Sequence, residues 1–242
     1  MKNLKFLTKN LIAHRGCFDN KNIPENSMKA FELAIKNSYV IELDIHLLKD
    51  NTLVVFHDDN LNRMTGIDKA IKYYDYNELK EIKLLNTKCN IPTLNEVLEL
   101  VNGKVPIIIE IKYDRKSFKI VKELFKILDN YKGKFAVKSF NSLFINYIKK
   151  HRPDYIRGLL IPYSHRNVLS YTRYKMIFLK VCKPDFISCN YKMFNNKKIK
   201  KFHKNNLVIA WTFKKQKIYL KYKKYFDNFI CENLKEGELW KE

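Results

Sequence analysis

Acidic side chains stand at the ends of two strongly apolar segments. Glu42 and Asp44 lie two residues apart in I-E-L-D-I, and Glu110 lies in I-I-I-E-I-K. Because side chains alternate along a strand, Glu42 and Asp44 are expected on one face. Three carboxylates supply the oxygen ligands that Mg²⁺ and Ca²⁺ prefer, and Mn²⁺ is also compatible. The trio predicts a site for one divalent cation, although for Glu110 alone a structural ion pair is an equal interpretation.

Two histidines and two cationic side chains follow other apolar segments. His14 opens H-R-G after a short apolar run, and His57 ends V-V-F-H. An imidazole titrates near neutral pH and can exchange protons with a substrate. Arg15 has the planar charged group suited to phosphate, while Lys112 is either a partner of Glu110 or a second phosphate ligand. We expect too few cations here to neutralise the carboxylates, which favours a bound metal.

Eight short apolar segments alternate with helix-length segments, which is typical of a parallel sheet covered by helices. The predicted strands are Leu11–His14, Tyr39–Asp44, Val105–Ile111, Phe135–Ser139, Ile156–Ile161, Asp185–Cys189, Leu207–Trp211 and Asn228–Cys231. Apolar spacing predicts helices at Glu25–Lys36, Thr93–Val101 and Ser117–Leu128. Eight such units favour an α/β fold, the (β/α)₈ TIM barrel, with functional residues at the carboxyl ends of the strands. An open doubly wound sheet is the alternative, but the chain lacks its glycine-rich phosphate turn.

One strand-like segment, Thr52–His57, breaks this alternation. Only Asp50 and Asn51 separate it from the second strand, and a connection that short requires an antiparallel hairpin. With these two residues as the turn, Asp44 is expected opposite His57. Residues from about 45 to 104 are interpreted as an insertion between the second and third barrel strands.

Length and composition suit a single domain over residues 1–242. The apolar fraction of 46% is enough for a packed core. No apolar segment approaches the roughly 20 residues that span a bilayer, and the lysines of the first ten residues argue against a signal peptide. The five cysteines include no C-x-x-C pair, which favours free thiols. Together these features predict a cytoplasmic protein.

The net charge of +22 raises the question of a polyanionic partner. Lysine supplies 40 of the basic residues and arginine only 7. Because arginine is the side chain that reads guanine edges and stacks on bases, its scarcity argues against nucleic-acid recognition. The charge would still attract anionic substrates and, weakly, an anionic membrane surface.

These residues occur in a set of motifs that resembles the glycerophosphodiester phosphodiesterase family of phospholipase C-like TIM-barrel phosphodiesterases. The first quarter of the chain carries the dense part of the resemblance. Its motifs are A-H-R-G at 13–16, P-E-N-S at 24–27, I-E-L-D-I at 41–45, V-V-F-H-D at 54–58 and L-N-R-M-T-G at 61–66. Later segments, I-E-I-K at 109–112, S-F at 139–140 and W-T at 211–212, follow in the family's order.

The resemblance implies metal-dependent hydrolysis of glycerophosphodiesters to glycerol 3-phosphate and an alcohol. It implies that one cation is held by Glu42, Asp44 and Glu110, that His14 and His57 act as acid and base, and that Arg15 and Lys112 hold the phosphate. Glu25 and Trp211 are expected to line the site less directly, although Trp211 could equally be barrel core. The small acidic turn of the family near its last strand reads C-E-N-L at 231–234 here, and Glu232 is given no role.

Two alternatives remain open at this point. A lysophospholipase D-like or phospholipase C-like enzyme acting on lipids would need a wide apolar groove at the barrel mouth. A catalytically inactive basic barrel that binds membranes or nucleic acid would be expected to have lost the histidines and carboxylates.

Overall fold

The computed structural model describes residues 2–112, 117–163 and 178–233. Its strands are β1 Ile12–His14, β2 Val40–Leu47, β3 Leu53–Val55, β4 Ile107–Ile111, β5 Phe135–Ser139, β6 Ile156–Ile161, β7 Phe186–Asn190, β8 Leu207–Phe213 and β9 Asn228–Cys231. All but β3 are parallel and pair with their neighbours, and β1 closes the ring by pairing with both β2 and β9. The predicted TIM barrel is confirmed, with β3 as one extra strand.

The eight predicted barrel strands all occur, and β5, β6 and β9 have the predicted bounds. The largest difference is in β2, which continues to Leu47 instead of ending at Asp44. Its last residues pair with the antiparallel strand β3, while its middle pairs with β4. The carboxylates of β2 therefore lie at the level where the barrel ends and the insertion begins.

The helices are α1 Phe6–Lys9, α2 Met28–Lys36, α3 Asn62–Thr65, α4 Tyr76–Leu79, α5 Leu94–Val101, α6 Lys119–Leu128, α7 Ser142–His151, α8 Lys197–His203 and α9 Gln216–Tyr222, and residues 178–182 are also helical. Of the three predicted helices, α5 and α6 begin within two residues of the predicted position. The prediction that α2 begins at Glu25 is wrong. Ser27 is its N-cap and accepts a hydrogen bond from the backbone N–H of Ala30. Residues 24–27 instead form a loop after β1, which carries Glu25 into the site.

The hairpin of β2 and β3 is antiparallel as predicted, but its turn is one residue longer. Leu48 N–H donates to the carbonyl of Thr52 at 2.9 Å, which leaves residues 49–51 as the turn. Asn51 has a φ of +73°, a left-handed conformation that asparagine tolerates. The Asp50 carboxylate accepts the backbone N–H of Thr52 and that of Tyr76 near α4. This contact with a distant segment favours the longer turn.

The longer turn shifts the register of the hairpin by one residue. Phe56, and not His57 as predicted, lies opposite Asp44 and donates its N–H to the Asp44 carbonyl at 3.0 Å. Adjacent residues of a strand point to opposite faces, so in this register the hairpin pairing no longer places the His57 side chain on the face of Asp44.

The segment between β2 and β4 has its own apolar cluster, as expected for an insertion. Its buried members are Leu48, Val54, Phe56, Leu61, Met64, Ile71, Tyr74, Leu79, Leu84 and Ile91. Helix α5 then returns the chain to the barrel. A capping box formed by Thr93 and Glu96 begins this helix. That the whole chain is one domain stays a prediction.

The barrel interior is filled by one apolar layer near the amino ends of its strands. This layer consists of Leu7, Ile12, Val40, Ile108, Ala136, Phe186, Ile209 and Ile230. Leu7 comes from α1, which covers the bottom of the barrel. Above this layer the next inward positions on β1, β2, β4, β5 and β9 are polar or charged, so on these strands the interior changes from packed core to candidate site within two residues.

All five cysteines are free thiols, as expected, and burial raises the pKa of Cys17 and Cys189 to about 12. Among the described residues, no helix has the length and apolar character needed to cross a membrane.

Gly16 is expected to be irreplaceable at the turn that follows β1. Its φ is +81°, and an added Cβ would lie 2.8 Å from the backbone of Ala30. Gly16→Ala should lower the free energy of unfolding by about 2–4 kcal/mol, since left-handed strain and overpacking add. The matched control is Gly66→Ala, because Gly66 has a φ of +78° but nothing within 4 Å of its added Cβ. Equal losses in urea denaturation of the two variants would show that the Ala30 contact does not matter.

Candidate active site

Three adjacent strands bring the predicted carboxylates and one histidine together. Side chains that face the barrel interior recur every second residue, so the position after Ile12 is His14, after Val40 it is Glu42, and after Ile108 it is Glu110. In the strand register His14 pairs with Glu42, and Asp44 pairs with Glu110. The carboxyl ends of β1, β2 and β4 thus form one wall of the site.

The three carboxylates converge closely enough to share one ion. One oxygen each of Glu42, Asp44 and Glu110 lies within 4.8 Å of the others. A cation with metal–oxygen distances of about 2.0–2.6 Å spans such separations. Glu42 and Asp44 are 0% and 1% exposed, so these charges require compensation within the protein.

Two lysines, the buried Lys138 and the largely buried Lys112, supply much of that compensation. Lys112 Nζ lies 2.8 Å from Asp44 Oδ1 and 2.7 Å from Glu110 Oε1. Lys138 Nζ lies 2.7 Å from Glu42 Oε1 and 3.4 Å from Glu110 Oε2. The expectation of too little fixed positive charge is therefore wrong, because Lys138 adds a second ammonium group beside the trio.

The charges of these groups stabilise one another. Burial opposes ionisation of Asp44, but Lys112 and Arg15 hold its pKa well below the usual range. Glu110 is also buried, and Lys112 and Lys138 lower its pKa. The pKa of both lysines is raised, since the attraction of the carboxylates outweighs burial. Ionised carboxylates are the form that binds a cation.

His14 is oriented by a carboxylate from the last strand. Its Nδ1 lies 2.9 Å from Glu232 Oε1, and its Nε2 lies 3.9 Å from Glu42 Oε2. Burial opposes ionisation of Glu232, but hydrogen bonds from His14 and Lys214 lower its pKa to about 2. Because an ionised carboxylate only accepts hydrogen bonds, Nδ1 of His14 carries its proton. Nε2 therefore faces the carboxylate cluster.

His57 has a similar arrangement at the edge of the insertion. Its Nδ1 lies 2.5 Å from Asp58 Oδ1, and its backbone carbonyl lies 3.1 Å from Nε2 of the buried His46. His57 directly follows Phe56, whose N–H binds the Asp44 carbonyl, so its backbone lies beside the end of β2 despite the shifted hairpin. Each histidine thus has Nδ1 on a carboxylate, and Nε2 is the nitrogen left for proton exchange.

Arg15 joins the loop after β1 to the cluster. Its Nη1 donates to Glu25 Oε1 at 2.6 Å, its Nε lies 3.3 Å from Asp44 Oδ2, and its backbone N–H donates to Glu42 at 3.2 Å. Glu25 is 5% exposed and also accepts from Arg63. Burial opposes the ionisation of Glu25, but Arg63 and Arg15 lower its pKa. Glu25 therefore contacts the predicted phosphate-binding residue and not the carboxylate trio.

Asn26 and Trp211 lie on other elements, the loop after β1 and strand β8. Asn26 donates to Asp44 Oδ2 at 3.0 Å. Trp211 packs against the interior apolar layer and makes an edge-to-face contact with Phe140, as a core residue would. Its indole N–H is buried, and no acceptor within the described ranges binds it. Both alternatives for Trp211, core residue and site lining, remain compatible with this position.

Lys138 is absent from the predicted site and Glu232 is given no role there, although the sequence contains a signal for both. Lys138 lies two residues after the interior Ala136, and Glu232 lies two residues after the interior Ile230. The alternation rule that placed Glu42 would have placed them as well. Asn26, Asp58 and Arg63 gave no such signal, because loops and short helices position them.

The chain is similar to one family over nearly all of its length. Residues 14–232 match the glycerophosphoryl diester phosphodiesterase family. A glycerophosphodiester phosphodiesterase of Caldanaerobacter subterraneus is 35% identical over 168 residues, which cover 62% of this chain and 65% of that relative. YhdW of Bacillus subtilis, provisionally named as the same enzyme, is 30% identical over 217 residues, which cover 86% of this chain and 87% of the relative.

Solved structures show the same barrel. A phosphodiesterase of Oleispira antarctica, determined in complex with its product sn-glycerol 3-phosphate, superposes with a TM-score of 0.81. The alignment covers 94% of each chain at 21% sequence identity. At that identity the likeness is one of fold.

Proposed function

Because this chain belongs to the glycerophosphoryl diester phosphodiesterase family, we propose that it hydrolyses glycerophosphodiesters to glycerol 3-phosphate and an alcohol. The observation that carries the proposal is the convergence of three carboxylates beside His14, whose Nε2 lies 3.9 Å from Glu42 Oε2. The similarity of the Caldanaerobacter enzyme and the product held by the Oleispira enzyme support this substrate class.

The residues present fit a divalent cation. Glu42, Asp44 and Glu110 would hold it through oxygen atoms that already lie within 4.8 Å of one another. Hard oxygen ligands of this kind suit Mg²⁺, Ca²⁺ or Mn²⁺. When bound, such an ion supplies a Lewis acid for the phosphoryl oxygen.

Lys112 lies between the candidate metal ligands and the predicted phosphate ligands. Its ammonium contacts one oxygen of Asp44 and one of Glu110. With a cation on these carboxylates, Lys112 would be free to bind a phosphate oxygen. Arg15, whose Nη1 is held by Glu25, would present Nη2 to a second one. The two side chains would then share the phosphate charge.

The two histidines would exchange protons with the attacking and the leaving oxygen. His14 would take a proton at Nε2 from the attacking oxygen, which belongs either to water or to the substrate's glycerol 2-hydroxyl. His57 would give a proton to the departing alkoxide. Glu232 and Asp58 would hold Nδ1 of each ring and so keep the reacting nitrogen directed at the phosphate.

Incubation with glycerophosphocholine and Mg²⁺ or Ca²⁺, followed by ³¹P and ¹H NMR, tests the proposed reaction. We expect glycerol 3-phosphate and choline, because the proposed reaction breaks the ester bond to choline and leaves the phosphate on glycerol. Formation of phosphocholine and glycerol would mean that the other ester bond is cleaved. An unchanged substrate, with every metal tried, would argue for an inactive barrel.

A cytoplasmic location and a weak association with anionic membranes complete the proposal. Residues 191–226 contain 12 lysines and no acidic residue, and Leu220 of α9 is 43% exposed among them. Lysine next to exposed apolar side chains suits an anionic lipid surface.

Vesicle sedimentation checks this association. Binding should require phosphatidylglycerol in phosphatidylcholine vesicles and should decrease with salt, because the attraction is electrostatic. Charge reversal at Lys217, Lys221 and Lys224 of the basic segment should weaken it, and reversal at Lys122, Lys132 and Lys134 elsewhere should not. Equal binding to uncharged vesicles, or equal loss in both variants, would contradict the assignment of this surface.

A further inference from the structure

One arginine of the insertion contacts two carboxylates that come from different parts of the chain. Arg63 lies in the short helix α3, and its side chain is 46% exposed. Its Nε donates to Asp58 Oδ2 at 2.6 Å. Its Nη2 and Nη1 donate to Glu25 Oε1 and Oε2 at 2.6 and 3.2 Å. A single planar guanidinium therefore joins the insertion to the loop that follows β1.

Each of these two carboxylates also binds a residue of the proposed site. Asp58 Oδ1 holds Nδ1 of His57, and Glu25 Oε1 holds Nη1 of Arg15. Arg63 is thus one carboxylate away from the proposed acid and one carboxylate away from a proposed phosphate ligand. These two functional side chains belong to different segments, and the guanidinium contacts both of their partners.

We propose that Arg63 is a positioning residue, which fixes the His57 ring relative to Arg15 through Asp58 and Glu25. The inference rests on the proposed function, since it concerns the same site. Arginine is required because its fork can bind one carboxylate with two nitrogens while Nε binds another. A lysine ammonium is a point charge and reaches only one of them well.

The surrounding contacts separate this role from a general contribution to folding. The backbone at His57 is held independently by His46, and Asn20 also donates to Glu25. The insertion is held by its own apolar cluster, which includes the buried neighbours Leu61 and Met64. Loss of Arg63 should therefore free the His57 ring and leave the fold of the insertion in place.

The test compares Arg63→Lys with Arg152→Lys, which is a matched control. Arg152 makes two hydrogen bonds to Asp129 at 2.7 and 2.5 Å, is 37% exposed and lies outside the site. Arg63→Lys should lower kcat for glycerophosphocholine about 100-fold with a small change in KM, because a misplaced acid affects the transition state most. Asp58→Asn should reproduce the loss, and millimolar guanidinium should partly restore Arg63→Ala.

A spectroscopic readout distinguishes failure of this inference from failure of the proposed reaction. In ¹⁵N-labelled protein the Nδ1–H resonance of His57 should shift or broaden in Arg63→Lys, while that of His14 stays unchanged. This signal is observable even if the wild-type protein hydrolyses nothing. An active wild type with Arg63→Lys and Arg152→Lys at equal kcat, or an unaltered His57 resonance in Arg63→Lys, would overturn the positioning role.

Discussion

His57→Ala is expected to abolish nearly all hydrolysis of glycerophosphocholine, yet to retain measurable activity on a glycerophosphodiester whose leaving group is nitrophenol. A general acid contributes about 10²–10⁴-fold, and most when the departing alkoxide is a poor leaving group. Nδ1 of His57 is held by Asp58, so Nε2 is the nitrogen that can deliver the proton. Nitrophenolate departs without a proton, which removes the need for the acid. The ratio of the two rates in each variant is the measurement.

His14→Ala should reduce both rates, because a missing base slows attack whatever the leaving group. His203→Ala is the control: His203 Nε2 lies 2.9 Å from Asp227 at a distance from the carboxylate cluster, and its loss should affect neither substrate. Equal losses for the His14 and His57 variants on both substrates would refute this division of roles. Rescue of His14→Ala alone would mean that the acid and the base are exchanged.

Removal of divalent ions is the second change with a large expected effect. Activity should vanish in excess chelator and return with Mg²⁺, Ca²⁺ or Mn²⁺. Glu42→Gln, Asp44→Asn and Glu110→Gln should each weaken Ca²⁺ binding measured by calorimetry, since each removes an ionised ligand. Glu123→Gln, which changes a surface carboxylate that pairs with Lys126, should leave binding unchanged. Full activity in excess chelator would exclude the trio as ligands of a required metal.

Lys112→Met separates metal binding from catalysis. The Lys112 ammonium and a cation would compete for oxygens of Asp44 and Glu110, so its removal makes the site more negative. We expect Ca²⁺ to bind several-fold more tightly to this variant while hydrolysis falls, because a phosphate ligand is lost. Weaker Ca²⁺ binding would show that Lys112 does not compete with the ion.

The barrel itself could be predicted from the sequence because its determinants are local. Apolar strand segments of four to seven residues and amphipathic helices are visible without tertiary information, and β5, β6 and β9 have the predicted bounds. The hairpin register could not be predicted in the same way. It depends on Asp50, whose carboxylate binds the backbone N–H of Tyr76, a residue of a different segment.

The residues of the candidate site also fall into two groups, those placed by strand periodicity and those placed by tertiary contacts. His14, Glu42, Asp44 and Glu110 lie on strands, and strand periodicity places them together. Lys138 could have been placed by the same periodicity, and its omission led to the wrong expectation about charge compensation. The hydrogen bonds of Asp58, Arg63 and Asn26 depend on how the insertion and the loop after β1 fold against the barrel. These contacts are tertiary, so the local sequence pattern does not predict them.

A crystal structure with Mn²⁺ and sn-glycerol 3-phosphate tests the central claim most directly, since anomalous scattering locates the ion. The proposed site predicts Mn²⁺ between oxygens of Glu42, Asp44 and Glu110, with the phosphate against Arg15 and a released Lys112. His14 and His57 should flank the phosphorus. An ion or phosphate bound elsewhere, with Lys112 still between Asp44 and Glu110, would contradict the assignment of this cluster as the catalytic site.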